Sequence, residues 1–345
     1  MSDMISKYEL RDMLLKDIKR RKDKMFCLYL HSPFCVRQCS FCMHKGEIVK
    51  INGDIYKKYY EEYLPNLIEF YKPVLMERTP DTVYFGGGTS SVMTAQTMRN
   101  LFSLIPNFKD IKEKMFECNM ILLNDEKVNI LKEYNFTHIS FGIQSFNERI
   151  LKKNNRVNLP PPKVKEIVSN LQSQGFFVNC DLMTFIDNGD ESDIEDTLND
   201  LIFMSRYVKP NRIDLYPRRE ALIKNPQRGV EKIICLRKAL IKNLPKFNGY
   251  ILPQMKDTSN FLKLSAENTE YYINYLLYRS EEDFKRRNNY DSSYLLNSPQ
   301  ISQITLGLGA YKHRFSYSYT DEVFVEERNE NWLDTVYEVV EWIGG

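Results

Sequence analysis

Three cysteines within a few residues of each other are the part of this chain best suited to chemistry. Cys35, Cys39 and Cys42 lie in the run YLHSPFCVRQCSFCMHKGE with the spacing CxxxCxxC. Cysteine thiolates hold iron–sulfur clusters, and a cubane cluster normally takes four of them. Three cysteines leave one iron without a protein ligand, and an open metal position is where a substrate can bind and react. The spacing therefore predicts a reactive cluster.

A structural zinc site is the main alternative, with His44 added to the three cysteines. Zinc takes four nitrogen or sulfur ligands, and closed sites usually draw them from two separated pairs. The sequence has no second CxxC pair. A buried group of free thiols is a weaker alternative, because the residues that flank the cysteines are polar.

The composition is that of a globular protein with balanced charge. The 345 residues carry a net charge of +2 and are 43% hydrophobic, so neither nucleic acid nor an acidic membrane surface is an expected partner. No apolar signal core or membrane-length run is present, and reduced thiols fit a cytoplasmic location. The remaining cysteines lie in apolar runs and are expected to be buried free thiols: Cys27, Cys118, Cys180 and Cys235.

Six short apolar runs predict β-strands, and helical sequence follows each of them. Alternation of this kind predicts parallel strands that are buried on both faces. Six βα units are too few for an eight-fold barrel, so we predict an α/β fold built as a partial (β/α)6 barrel. Its functional groups should lie at the C-terminal ends of the strands. The runs are 25–31, 81–85, 115–121, 137–144, 176–185 and 212–216.

We predict three parts along the chain. A helix occupies residues 1–24, the partial barrel occupies 25–220, and a smaller α+β region that covers the substrate occupies 221–345. The last region should contain a basic helix, a Tyr-rich helical stretch, a β-like run and a closing helix, at 230–243, 267–286, 303–319 and in WLDTVYEVVEWI.

Several motifs occur in the order found in one known family. They are YLHSPFC with the two further cysteines, VYFGGGT, FECN, ISFGIQSFNERIL, VNCDLM and LGLGA, and they extend over roughly residues 25–315. On these motifs the chain resembles the radical S-adenosylmethionine (SAM) superfamily. Within it, the chain resembles the oxygen-independent coproporphyrinogen III oxidases and their relatives.

The resemblance implies a [4Fe-4S] cluster whose open iron binds the amino and carboxylate groups of SAM. One electron then cleaves the sulfonium, and the resulting 5′-deoxyadenosyl radical abstracts hydrogen from an unactivated carbon. A flavodoxin- or ferredoxin-like partner, or a chemical reductant, would supply that electron. The founding enzyme of the family holds two SAM molecules, so two are expected here.

The resemblance also implies roles for individual residues. Tyr29 and Tyr216 are assigned as proton or hydrogen relays near the radical. The cluster-bound SAM would be contacted by Tyr29, Gly86, Gly87 and Glu117. The second SAM would be contacted by Phe41, Gly88, Thr89, Gln144, Arg156 and Asp181.

Each of these assignments has a simpler alternative. The GGGT run could be a phosphate loop or a plain turn, although it lacks the lysine of a P-loop and the spacing of a dinucleotide fingerprint. Glu117 could be an ordinary solvated carboxylate at the rim of the sheet. Arg156 could be a charge on a helix surface.

Three departures from the family pattern concern the wall of the substrate site. Ser90 replaces a usual proline, KNNRVNLPPP replaces a glycine-arginine-x-histidine run, and TFIDNGDESD replaces a tyrosine-glycine-leucine-proline turn. We therefore predict methylation, methylenation or cyclopropanation of an unsaturated small molecule, as in the class C methyltransferase branch. The alternative is oxidative decarboxylation of a porphyrinogen. A third possibility is a haem-binding chaperone with His44 or His313 as the axial ligand.

Overall fold

The structure is a computed structural model that describes residues 4–42, 46–252, 275–286, 303–310, 317–328 and 335–342. The described residues divide into two compact units. The N-terminal unit takes its described residues from 1–38, 44–138 and 288–345, and the central unit takes them from 39–43 and 139–287. The predicted domain boundaries at 24 and 220 stay predictions.

Strands and helices alternate along the chain, which confirms the predicted α/β class. The strands are β1 (Met4–Ser6), β2 (Met25–Ser32), β3 (Phe34–Cys35), β4 (Glu47–Ile48), β5 (Thr82–Gly87), β6 (Glu113–Cys118), β7 (His138–Gln144), β8 (Phe177–Thr184), β9 (Arg212–Pro217), β10 (Tyr275–Tyr278), β11 (Gln303–Leu308), β12 (Tyr317–Tyr319), β13 (Val323–Arg328) and β14 (Val336–Trp342). The α-helices are α1 (Lys7–Arg20), α2 (Asp54–Lys57), α3 (Leu64–Glu77), α4 (Ala95–Leu104), α5 (Asp125–Glu133), α6 (Glu148–Lys153), α7 (Pro161–Ser173), α8 (Asp193–Phe203), α9 (Arg219–Ile223), α10 (Pro226–Asn243) and α11 (Glu281–Lys285).

Short helical segments of other kinds join or extend these helices. A π-helical segment at Lys58–Tyr63 connects α2 to α3, and another at Met204–Val208 extends α8. With the first of these, residues 54–77 form one continuous helical run. The 3₁₀ turns are Ser90–Val92, Phe108–Asp110, Met120–Leu122 and Leu244–Lys246.

The sheet of the N-terminal unit has the order β1-β14-β13-β12-β11-β2-β5-β6. The strands β11, β2, β5 and β6 are parallel. The outer strands β12, β13 and β14 pair antiparallel, and β1 closes that edge against β14. The run at 303–319 was predicted as β-like, and its strand β11 extends the parallel part of the sheet beside β2.

In the central unit the strand order is β7-β8-β9-β10, with β8 and β9 parallel and β10 antiparallel to β9. Side chains alternate between the two faces of each strand. One face is apolar and buried, with residues such as Val178, Cys180 and Ile213. The other face carries Ser140, Asn179, Asp181, Arg212, Asp214 and Tyr216.

The predicted closing helix is wrong. Residues Val336–Trp342 form strand β14, because the run VYEVVEW is rich in β-branched and aromatic residues and finds partners in β1 and β13. Tyr337 is fully buried there, whereas its neighbours Val336 and Glu338 are half-buried, which is the two-residue period of a strand.

Two smaller predictions also need correction. Tyr275–Tyr278, within the predicted Tyr-rich helix at 267–286, is a strand that pairs with β9, and residues 267–274 lie outside the described residues. Cys235 is exposed, because α10 turns this position away from its buried side. Cys27, Cys118 and Cys180 are buried free thiols as predicted, and burial raises their pKa.

Candidate active site

The glycine run at the end of β5 allows the backbone to approach the first cysteine of the motif. A Cβ on Gly88 would lie 2.7 Å from the Phe34 carbonyl oxygen and 3.1 Å from Cys35 Sγ. Gly87 has a φ of +104°, in the region that favours glycine. The Gly88 amide donates to the Ser32 carbonyl oxygen at 2.6 Å and fixes this approach. The run is therefore a close backbone contact rather than a free turn.

Cys35 is held between two segments of backbone. A Cβ on Gly46 would lie 2.6 Å from Cys35 Sγ, so a second glycine is required on that side. Thr89 Oγ1 lies 3.3 Å from the same sulfur and also donates to the Gly88 carbonyl oxygen. Cys35 is only 8% exposed. A small cradle of backbone and one hydroxyl therefore surrounds this thiol.

Beside the glycine run, a tyrosine and a carboxylate form a fixed pair. The Tyr84 hydroxyl donates to Glu117 Oε1 at 2.5 Å. The other oxygen, Glu117 Oε2, lies 2.9 Å from where a Cβ on Gly86 would be, and Tyr29 Cε2 lies 3.1 Å from that point. Tyr29, Tyr84 and Glu117 therefore pack so closely on the Gly86 backbone that a Cβ there would not fit. A carboxylate in this position suits an ammonium group or hydroxyls.

Tyr29 was assigned as a relay, and its hydroxyl already has a neighbour. It lies 3.1 Å from His31 Nδ1, and the His31 ring packs against Gly87, where a Cβ would come within 2.7 Å of it. The ring of Tyr29 lies beside that of Tyr84, with centroids 5.9 Å apart. Tyr29 therefore packs against the Gly86 backbone with its ring edge, and its proposed relay role stays a prediction.

The central unit carries the other two cysteines. Cys39, Phe41, Ile150 and Ile186 form a buried apolar cluster, each at most 8% exposed, and Cys42 and Met183 pack against it. Phe41 was predicted to contact a second SAM. Here it lies beside Cys39, in the apolar surroundings of the cysteine loop.

Gln144 ends β7 in a left-handed conformation with a φ of +73°. Its Oε1 atom is buried and accepts no hydrogen bond from the described residues. The following turn is held by Asp200, which accepts from Ser145 Oγ at 2.6 Å and from the Phe146 amide at 2.9 Å. A buried carbonyl oxygen without a partner costs free energy unless a ligand donates to it.

Arg156 is half-buried and lies just past the end of α6, so the alternative of a helix-surface charge is wrong. Its guanidinium donates to the Gly142 carbonyl oxygen and, at 3.1 Å, to Asn158 Oδ1. A further guanidinium nitrogen lies 4.0 Å from Cys39 Sγ. Arg156 thus ties the end of β7 to the vicinity of a motif cysteine.

Asp181 and Tyr216 belong to a buried polar network on one face of β8 and β9. Asn179 Nδ2 donates to Asp181 Oδ1 at 2.7 Å, and the Tyr216 hydroxyl donates to Asp214 Oδ2 at 3.1 Å. Arg212 pairs with Asp214 at 2.7 Å, and both side chains are fully buried. The register explains the network, because Asn179 lies opposite Arg212 and Asp181 lies opposite Asp214.

These residues fit the groups that the motifs imply. Three cysteines that form no disulfide, glycine backbone around Cys35, a carboxylate beside Gly86 and a buried acceptor on Gln144 suit a cluster and a SAM-like ligand. Among the described residues, no three Cys, His, Asp or Glu side chains are grouped to hold a single metal ion. A cubane cluster does not require such a group, because each thiolate binds a different iron. His44, the fourth ligand of the zinc alternative, lies outside the described residues.

A family model described as the radical SAM superfamily matches residues 29–201, half of the 345-residue chain. The chain belongs to the radical SAM superfamily. This membership implies a [4Fe-4S] cluster and SAM. The matched range contains all three motif cysteines, the glycine run and the residues Glu117, Gln144, Arg156 and Asp181.

The chain is also similar to individual relatives. It is 25% identical to the heme chaperone HemW of Buchnera aphidicola subsp. Schizaphis graminum, over 89% of this chain and 74% of that protein. It is 32% identical to HemW of Lactococcus lactis, over 43% of this chain and 38% of that protein. It is 27% identical to anaerobilin synthase of Escherichia coli O157:H7, over 55% of this chain and 42% of that protein. The chain thus spans less than half of the length of two of these three relatives.

Among solved structures, coproporphyrinogen III oxidase from Escherichia coli has the same fold. The TM-score is 0.64 with 18% identity, over 92% of this chain and 69% of that chain. The parallel strands, with antiparallel strands contributed by the C-terminal region, therefore form the radical SAM fold. Among the described residues, no helix is both long and apolar enough to cross a membrane.

Sequence reasoning missed three groups of residues at this site. Tyr84 shares a strand face with Gly86, and the two-residue spacing in VYFGG could have indicated it. Asn154, which hydrogen-bonds to the cysteine loop, left no signal of this kind. Neither did the network of Asn179, Arg212 and Asp214, because its contacts depend on strand register.

Proposed function

We propose that this protein is a radical SAM enzyme of the coproporphyrinogen-oxidase-like group that acts on a tetrapyrrole-type substrate by oxidative decarboxylation. The observation that carries the proposal is the Tyr84–Glu117 pair, which packs on the Gly86 backbone in the same glycine run that forms the Cys35 cradle. Named relatives support the substrate class, since they include heme chaperones and a coproporphyrinogen III oxidase. This was the alternative in the sequence analysis, and these relatives favour it over methyl transfer.

Cys35, Cys39 and Cys42 would hold the cluster. When bound together, the cluster and SAM would supply the chemistry for abstracting hydrogen from an unactivated carbon, and a flavodoxin- or ferredoxin-like partner would supply the electron that this requires. The chain itself must exclude water from that chemistry. The apolar surroundings of Cys39 in the central unit and the close glycine backbone around Cys35 in the N-terminal unit serve this purpose.

Glu117 would bind the amino group or the ribose hydroxyls of SAM. The hydroxyl of Tyr84 donates to Oε1 and so fixes the carboxylate, with Oε2 beside the Gly86 backbone. A carboxylate held in this way loses little side-chain freedom when the ligand binds, which favours affinity. Gly86 is needed because a Cβ there would displace Tyr84 and Glu117.

Methyl transfer with two SAM molecules is a second candidate, favoured by one observation. Gln144 Oε1 in the central unit is buried, and no described residue donates a hydrogen bond to it. An acceptor of this kind would suit a second adenosine or methionine group. The order of the family motifs also assigns Phe41, Gly88, Thr89, Arg156 and Asp181 to that second SAM, and the product would be methylated, methylenated or cyclopropanated.

The haem-binding chaperone remains a third outcome. An axial ligand must present an unhindered ring nitrogen or sulfur to iron. His31 and His138 are both buried in strands, and their Nδ1 atoms lie near the Tyr29 and Thr137 hydroxyls, respectively. His44 and His313, the two candidates named from the sequence, lie outside the described residues.

The test uses the full chain, reconstituted anaerobically, reduced, and incubated with SAM and coproporphyrinogen III. We expect 5′-deoxyadenosine, carbon dioxide and a decarboxylated tetrapyrrole, with none of these from the Cys39→Ala variant. Formation of S-adenosylhomocysteine and a methylated product would contradict decarboxylation and support the second candidate. Tight haem binding with no cleavage of SAM would contradict both enzymatic candidates.

A further inference from the structure

Asn154, just past the end of α6, connects two loops of the central unit through its side chain. It is 2% exposed. Its Oδ1 atom accepts from Ser40 Oγ at 2.6 Å, and its Nδ2 atom donates to the carbonyl oxygens of Ile150 at 3.0 Å and Ile186 at 3.2 Å. Both ends of the amide are thus used. A carboxamide is suited to this role because it is an acceptor at one end and a donor at the other.

One of the two loops is the cysteine loop. Ser40 lies directly after Cys39, and its backbone amide donates to the Asn154 carbonyl oxygen at 3.1 Å, in addition to the side-chain bond. The Cys42 amide donates to the Cys39 carbonyl oxygen at 3.2 Å and closes the turn. Two bonds to one residue therefore fix the turn that carries Cys39 and Cys42.

The other loop follows β8 and replaces the turn usual in the family. Ile186 in this loop packs against Cys39 and Phe41, together with Met183 from the end of the strand. Ile186 and Met183 thus form an apolar wall against Cys39 and Cys42, the two cysteines of the central unit. The Asn154 bond to the Ile186 carbonyl oxygen holds that wall at one point.

Asp187 holds the wall at a second point. Its carboxylate is 3% exposed and pairs with Arg149 at 2.5 Å and with Lys153 at 2.7 Å, both from α6. The amides of Asp187, Asn188 and Gly189 all donate to the Asp193 carboxylate at 3.0 Å, which fixes the rest of the loop. The Arg149 guanidinium holds the pKa of Asp187 below its ordinary value, against the effect of burial.

We propose that Asn154 is a positioning residue that couples the Cys39–Cys42 turn to the loop after β8, so that Ile186 and Met183 shield the cluster from water and dioxygen. Removing groups that orient metal ligands through hydrogen bonds typically lowers metal affinity by about 10- to 100-fold. The inference depends on the cluster that superfamily membership implies and is independent of the proposed substrate.

The test measures how fast the reconstituted cluster is lost in air, in the full-length chain. We expect Asn154→Ala to lose its visible absorbance and release iron about tenfold faster than wild type, the lower end of the range for such partners. Val164→Ala, which removes buried methyl groups from α7, is the matched control and should decay at the wild-type rate. Decay of Asn154→Ala at the rate of this control would overturn the proposal.

A second readout needs no cluster. In metal-free protein, alkylation of Cys39 and Cys42, followed by peptide mass spectrometry, should be faster in Asn154→Ala, whereas alkylation of the buried Cys118 should be unchanged. If Asn154→Ala fails to fold, Asp187→Asn tests whether the loop after β8 shields the cluster. This variant weakens the ion pairs with Arg149 and Lys153 that hold the same loop. We expect about threefold faster cluster loss in that variant, and a wild-type rate would contradict the inference.

Discussion

The two units present their candidate ligand groups in different ways. In the N-terminal unit, the absence of side chains on Gly86, Gly87 and Gly88 allows close packing on the backbone, and one fixed carboxylate, Glu117, lies beside Gly86. In the central unit, side chains fill one face of the sheet and hold each other. There Asp181, which is half-buried, accepts from Ser140 and Asn179, and Asn179 in turn accepts from the buried Arg212.

The difference shows how strongly the candidate ligand groups of each unit depend on local sequence. A close backbone approach requires glycine at fixed adjacent positions, so a short motif reveals it. A cross-strand network requires a particular register, and its members lie far apart in the chain, as Arg212 and Asn179 do with a separation of 33 residues. The following predictions test whether the two units also differ in what they bind.

The largest effect should come from the cysteines, which should be equally necessary in both units. We expect Cys35→Ala, from the N-terminal unit, and Cys39→Ala, from the central unit, to abolish cluster retention and SAM cleavage, because each removes one of only three thiolate ligands. Iron and sulfide analysis after anaerobic reconstitution is the measurement. Cys118→Ala, at a buried thiol outside the motif, should retain iron. Normal iron content and turnover in either motif variant would refute the assignment.

The next largest effect should come from the glycine run. In Gly86→Ala the new methyl group would lie 2.7 Å from Tyr84 Cε1 and 2.9 Å from Glu117 Oε2. Because Tyr84 and Glu117 must move, the proposed hydrogen bond of Glu117 to SAM is lost at a cost of about 3 kcal/mol, and we expect SAM affinity to fall about 100-fold by anaerobic calorimetry. Gly175→Ala is the control, because its φ of +93° is strained for alanine but the space around it is open. Equal SAM affinity in the two variants would contradict a SAM contact beside Gly86.

The two carboxylates should separate the functions of the two units. Glu117→Gln should weaken SAM binding about tenfold, since a hydrogen bond to a charged group is worth about 1.5 kcal/mol. Asp181→Asn should leave the first equivalent of SAM unaffected and weaken a second equivalent, or the substrate, by a similar factor. Calorimetric titration gives both the stoichiometry and the affinities. If both variants weaken the same single binding event, the proposed division between the units is wrong.

The smallest effect concerns the turn after Gln144. Burial raises the pKa of Asp200 to about 6, although bonds from Ser145 and Phe146 act in the opposite direction. The folded-state pKa lies above the ordinary value of 3.8. The carboxyl therefore stabilises the fold fully below pH 3.8, and this stability is lost as the pH rises through about 6. Relative to Asp200→Asn, wild type should therefore lose about 1 kcal/mol of unfolding free energy between pH 5 and pH 7.

Urea unfolding at several pH values provides the measurement for Asp200. Val168→Ala, at a buried position in α7 that does not titrate, should show the same pH dependence as wild type. An identical pH dependence in wild type and Asp200→Asn would show that the carboxyl is not buried in this way.

The strands that carry the site were predictable because they are short, continuous apolar runs. All six predicted runs are strands, with bounds shifted by at most three residues at any end, as for 115–121 against Glu113–Cys118. The closing run VYEVVEW was predicted as a helix, since an apolar pattern of this length fits both the 3.6-residue period of a helix and the two-residue period of a strand. Its strand partners β1 and β13 come from distant parts of the chain, and the sequence of the run does not name them.

The sequence by itself determined the cysteine spacing, the glycine run and the α/β class, because each follows from local geometry or from apolar periodicity. Only the tertiary structure decided that Tyr84 fixes Glu117, that Asn154 joins two loops, and that Asp214 pairs with Arg212 and accepts from the Tyr216 hydroxyl. The physical reason is that a hydrogen bond needs its two groups about 3 Å apart. Strand register and loop closure bring such groups together, and neither is written in the spacing of residues along the chain.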